Sequence, residues 1–142
     1  MIREFQGEYR WLSNFAPVKI VLEGIEYSSV EHAYMSAKSY DKTWKLFCAN
    51  SRNSPGEVKR RSKTITLVDY WESKKVGVMY QCLLQKYHTF PYIDLLMATG
   101  NEHIQEGNRW GDTFWGVCLK TNKGQNTLGN LIMKIRDELN QK

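Results

Sequence analysis

A compact, helix-rich α+β domain with a few short strands is the fold this sequence predicts, on three observations. Most of the chain carries apolar residues at helical spacing. The strand-like pieces are short and lie mainly toward one end. The length, 142 residues, buries one core without needing a second. No repeat, low-complexity tract or Pro/Gly linker divides the chain, so one domain over residues 1–142 is expected.

The elements follow in order. "REFQG" (3–7) reads as a strand-like piece before a turn at Gly7. "VKIVL" (18–22), an "EG" turn at Glu23 and Gly24, and "IEY" (25–27) read as a hairpin. Ser28 and Glu31 have capping-box spacing ahead of "VEHAYMSAKSY", where Val30, Ala33, Tyr34 and Ala37 form one apolar stripe. A second helix runs through "TWKLFCA", and Ser54, Pro55 and Glu57 start a short third. Asp69 and Glu72 repeat the capping logic for a long helix to about Tyr87, and "PYIDLLMATG" is a helix opened at Pro91 and closed at Gly100. "FWGVCL" makes a short strand. Asn126 then caps a last helix carrying Leu128, Leu131, Ile132, Ile135 and Leu139 on one face.

Composition narrows the function classes. The N-terminus does not resemble a signal peptide and no apolar run approaches a membrane span, so a cytoplasmic location is expected. Cys48, Cys82 and Cys118 are an odd number, far apart and each in an apolar segment, which predicts buried free thiols. His32, His88 and His103 lack ligand spacing, so neither metal nor cofactor is expected. The net charge of +5 softly favours phosphorylated or nucleic-acid ligands. Its densest run, "KRRSK" (59–63), reads first as a solvated face and second as a phosphate site.

Three places can carry chemistry. Trp71 falls about 140° from the centre of the stripe Val76, Met79, Tyr80, Leu83 and Tyr87 in the long helix. It either buries a second helix face with Val78 and Cys82 or stacks a planar ligand. Glu31 either closes the capping box or works with Lys38, which helix rise places about 10 Å further along the axis. That spacing suits a carboxylate near a reacting carbon and an ammonium near a phosphate. "EGNRWGDTFWG" (106–116) sets Glu106 and Asp112 among Trp110, Phe114, Trp115 and three glycines. It is either an aromatic-anchored loop or one wall of a cleft. Two carboxylates in a partly desolvated cleft beside stacking aromatics suit glycosidic cleavage.

These pieces stand together in a known order. "YRWLSNFAP", "YSSVEHAYMSAK", "DYWESKKVGVMYQCLLQKY", "LLMATGNEHIQEGNRWGDTFWG" and "GQNTLGNLIMKIR" resemble the NADAR, or YbiA-like, family from Phe5 to about Leu139. The resemblance implies an N-glycosidase that hydrolyses the bond between a ribose carbon and a nitrogenous base. The implied substrates are phosphoribosylated pyrimidine intermediates of riboflavin synthesis or, in other branches, ADP-ribose attached to guanine in nucleic acid. Matched motif by motif, it implies Glu31, Trp71 and Asp112 as the catalytic set. It also implies Ser13, Asn14, Lys38, Trp115, Gly116 and Asn126 as cleft-lining residues. The chain departs from the form linked to riboflavin intermediates at "MSAK" and at "GNRWGD", where Trp110 is an extra aromatic. A non-catalytic ADP-ribose or nucleotide-binding module is the rival reading of the same aromatics and Lys38.

Overall fold

Alternation of buried Val18 and Ile20 with exposed Lys19 and Val21 makes residues Pro17–Leu22 a strand with one face on the core (β1). It pairs antiparallel with β2 (Ile25–Ser29), Leu22 opposite Ile25. The two residues between them, Glu23 and Gly24, both take positive φ (51° and 79°), as a two-residue hairpin turn demands. This computed structural model describes residues 1–141. The expected hairpin is present, one residue longer at its start and two at its end.

The chain then turns into α1 (Val30–Ser36), α2 (Lys42–Ala49), α3 (Pro55–Arg61) and the long α4 (Trp71–Tyr87). Ser54 caps α3 through its hydroxyl, and Asp41 caps α2. α4 packs on α1 and on β1. Its Gln85 side chain both accepts from the Val21 N–H and donates to the Val21 carbonyl, each at 2.8 Å, which occupies one edge position of the strand. After α4 come α5 (Tyr92–Ala98), the short parallel pair β3 (Gly107–Asn108) and β4 (Val117–Cys118), and α6 (Thr127–Asn140). Short 3₁₀ segments occupy Gly7–Leu12 and Ser62–Thr64. The architecture is the helix-rich α+β class read from the sequence.

Tertiary contacts group the chain into two units, one made of residues 14–89 and the other of residues 1–13 and 90–142. In the first, the core is built from Ile20, Val30, Ala33, Cys48, Val58, Cys82 and Leu83, all fully buried. In the second, Leu12, Leu96, Ile104, Ile132 and Ile135 play that part. All three cysteines are buried and free.

Several local expectations are corrected. No strand forms over 3–7: only Ile2 bridges to Ile104, and Gly7 at φ 59° starts the 3₁₀ turn. The cap of α1 is Ser29 rather than Ser28, its Oγ accepting from the His32 N–H at 3.1 Å. Asp69 does not cap α4. Tyr70, at φ 58°, stands at that cap position with no side-chain hydrogen bond, and Glu72 pairs instead with Lys75 at 2.6 Å. Asn126 makes no side-chain cap on α6. Its amide stitches the preceding chain, accepting from the Glu106 N–H and donating to the Ile104 carbonyl, both at 2.9 Å. In each case a tertiary partner or a backbone turn outcompetes the local capping preference that the sequence pattern carries.

Candidate active site

The one-residue shift of the α1 cap decides what Glu31 does. A capping-box glutamate must be the third helical residue; with Ser29 as cap, Glu31 is the second, and its carboxylate has no cap to close. The side chain is 6% exposed and its Oε2 has no hydrogen-bond partner. Burial therefore pushes the carboxyl from 4.5 up to about 7, against the opposing pull of Lys59 and then Lys38. A buried carboxyl poised near neutrality can hold a proton and release it, as a general acid needs to do.

Around it, within the 14–89 unit, several of the expected residues gather. The Asn14 carbonyl accepts from the Glu31 N–H at 3.0 Å, so the S-N-F segment is tied to the start of α1. The Asn14 side chain donates to Met79 Sδ at 3.6 Å while its Oδ1 is buried without a partner. Lys38, part-buried, has its pKa lowered by burial, an effect that the Glu31 carboxylate opposes. Its Nζ stands 5.7 Å from the centroid of Tyr34, and Tyr34 in turn sits 5.4 Å from Trp71 at 55°. Trp71 is itself 6% exposed at the first position of α4. A carboxyl, an amide oxygen, two aromatic rings and an ammonium thus belong to one neighbourhood. Lys59, from the "KRRSK" run, joins it through its field on both Glu31 and Lys38. The run is exposed at Lys59, Arg60, Arg61 and Lys63, the solvated face that its sequence reads first.

The other expected residues belong to the second unit. Asp112 Oδ1 accepts from the backbone N–H groups of Phe114 (3.1 Å) and Trp115 (2.9 Å). The Asp112 N–H donates to Asn108 Oδ1, and Asn108 Nδ2 returns a bond to the Asp112 carbonyl. This carboxylate braces its own loop. Trp115 meets Phe114 edge to face at 4.9 Å. Gly116 is buried where any Cβ would run into Glu106, so the close approach it permits is made by the chain itself. Ser13 is half-buried beside its 3₁₀ turn, and Trp110 is 65% exposed.

Comparison with known proteins identifies the family and the fold. The family model described as the NADAR domain matches residues 2–140. An N-glycosidase of Nostoc punctiforme is 32% identical over 136 residues, covering 92% of this chain and 86% of that protein. The N-glycosidase YbiA of Escherichia coli is 31% identical over 139 residues, covering 93% and 82%. A riboflavin biosynthesis protein, PYRR of Zea mays, is 28% identical over 145 residues, which are 89% of this chain but 23% of that protein. The NMR structure of E. coli YbiA superposes with a TM-score of 0.83 at 28% identity, covering 97% of this chain and 82% of that one.

Proposed function

Because the chain belongs to the NADAR domain family, we propose that it hydrolyses the N-glycosidic bond between a ribose anomeric carbon and a nitrogenous base, with Glu31 as the proton donor. The relatives named as N-glycosidases support the reaction class. The observation that carries the assignment of Glu31 is its buried, unpartnered Oε2 on a carboxyl lifted to about 7.

The chemistry needs one proton and one water. As the bond from the anomeric carbon to the base nitrogen breaks, Glu31 gives its proton to the departing base, and the ring takes on oxocarbenium character. Water adds its oxygen to the anomeric carbon, and its proton passes to a carboxylate. Asp112 enters this scheme through the match of its D-x-x-W-G motif, as the second carboxylate. Trp71 stacks the base, and Lys38 and Lys59 supply positive charge for a phosphate on the ribose side. Asn14 stands beside Glu31, and Ser13, Trp115, Gly116 and Asn126, like Asp112, enter through the match of their motifs.

The substrate is a base carried on phosphorylated ribose: a phosphoribosylated aminopyrimidine, or ADP-ribose on guanine in nucleic acid. The resemblance to a riboflavin biosynthesis protein favours testing the first. Incubation with each in parallel, with mass spectrometry for freed base, tests the reading. Release of base from one confirms hydrolysis and selects the branch. Saturable binding of both without release would instead establish a nucleotide-binding module.

A further inference from the structure

Next to Glu31 in the chain stands His32, which is 3% exposed and has both ring nitrogens engaged. Nε2 lies 2.7 Å from the Asn53 carbonyl, which can only accept, so Nε2 carries the proton and donates. In the neutral ring Nδ1 is then left to accept. The Ser29 hydroxyl, 2.6 Å away, supplies the proton; Ser28 Oγ is further off at 3.3 Å. Ser29 Oγ in turn accepts from the His32 N–H at 3.1 Å, so the cap and the histidine close a loop of two hydrogen bonds.

That loop settles which serine caps α1. Ser28 and Glu31 have the spacing at which a glutamate turns back and accepts from the cap's own N–H. A helix started at Ser28 would give the Glu31 carboxylate that partner and make it an ordinary ionised member of a capping box. With Ser29 held by His32, the helix starts one residue later and Glu31 Oε2 is left without a partner.

The other nitrogen reaches out of α1. Asn53 belongs to the connection between α2 and α3; its side chain donates to the Phe47 carbonyl at 2.9 Å, and the next residue, Ser54, caps α3. The Nε2 bond therefore pins the start of α3 to the start of α1. α3 packs on α1 and carries Lys59, which, ahead of Lys38, is the cation acting on the Glu31 carboxyl.

We propose that His32 is a positioning residue for Glu31, a role that rests on the reading of Glu31 as the proton donor. Its Nδ1 keeps the carboxyl from closing a capping box, and its Nε2 sets the carboxyl's distance from Lys59.

Two substitutions separate the halves. An asparagine oxygen can stand near the place of Nδ1 and a glutamine amide near that of Nε2. His32→Asn thus keeps the Ser29 bond and gives up Asn53, whereas His32→Gln keeps Asn53 and gives up Ser29. Titration of the Glu31 carboxyl by carbon-13 NMR, its signal identified by its loss in Glu31→Gln, reads the result. No substrate is needed, so the outcome is separate from whether the protein cleaves an N-glycosidic bond. His32→Asn should raise the Glu31 midpoint by at least about 0.3 pH unit, roughly a twofold change in proton affinity, and should add nothing in a Lys59→Ala background. His32→Gln should lower the midpoint by at least as much, because Ser28 can then take over the cap, and adding Ser28→Ala should cancel that fall. Ser29→Ala leaves His32 in place and should lower the midpoint likewise, so it carries the test if neither His32 variant folds. An unchanged Glu31 midpoint in whichever of these variants fold, whatever their melting temperatures, would overturn the proposal; so would shifts of one sign in both His32 variants.

Discussion

The surroundings of Glu31 and of Asp112 are built on opposite plans. Glu31 rises from a helix whose cap is made by another residue, and it is buried with an oxygen that nothing in the protein satisfies. Asp112 sits in a glycine- and aromatic-rich loop and spends its Oδ1 on two backbone N–H groups of that loop. The first arrangement costs stability when the group is charged, and the second stabilises the loop. The two carboxyls thus differ in kind: one is able to exchange a proton, and the other is held in place.

The largest effect expected from this contrast is on turnover. Glu31→Gln removes the proton donor while preserving shape, and should cut kcat by about 10²–10⁴-fold. Asp112→Asn should also lose most turnover. Full activity in either variant, measured as freed base, would sink that residue's role. In the parent enzyme, kcat should fall as pH rises through about 7, where Glu31 gives up its proton; a limb that persists in Glu31→Gln would belong to another group.

Next in size is the pH dependence of stability. The folded-state value of Glu31 is raised, from 4.5 to about 7, so its contribution is fully present below 4.5 and is lost as pH climbs through about 7. Across that window the parent protein should lose on the order of 3 kcal/mol relative to Glu31→Gln. Chemical denaturation of both proteins at pH 4.5 and pH 8 measures the difference, and parallel curves would refute the burial cost.

Asp112 should behave the other way. Asp112→Ala strips two N–H groups of their acceptor and should destabilise by about 1–2 kcal/mol, whereas Asp112→Asn keeps an acceptor oxygen and should melt close to the parent. Equal melting of Ala and Asn variants would show that the loop does not depend on the brace. The smallest effect is expected from Lys59→Ala. Losing that cation lets the Glu31 value rise further, so the alkaline limb of kcat should move upward and KM for a phosphorylated substrate should increase. A limb that moves downward would place Lys59 elsewhere.

Much of this was legible in the chain. The β1–β2 hairpin follows from alternation around an "EG" turn, and α6 follows from five apolar residues at helical spacing. Glu31, Trp71 and Asp112 each have an ordinary structural use in the sequence, and it is the match to the family's motifs that singles them out. Caps were less legible. Ser28 and Ser29 are adjacent and chemically equal, and the choice falls to Ser29, whose Oγ also lies 2.6 Å from His32 Nδ1 while His32 Nε2 meets the Asn53 carbonyl. No local pattern contains Asn53. Lys86, at the end of α4, is fully buried on the same face as Met79 and Leu83.

By itself, then, the sequence determined the elements, their order and the family, because periodicity and turn chemistry act over a few residues and motif spacing survives as a pattern. Only the tertiary structure decided which carboxylate is starved of partners and which of the lysines in "KRRSK" acts on it through its field. Burial and the electric field at a group are set by neighbours distant along the chain, and those neighbours meet only once it has folded.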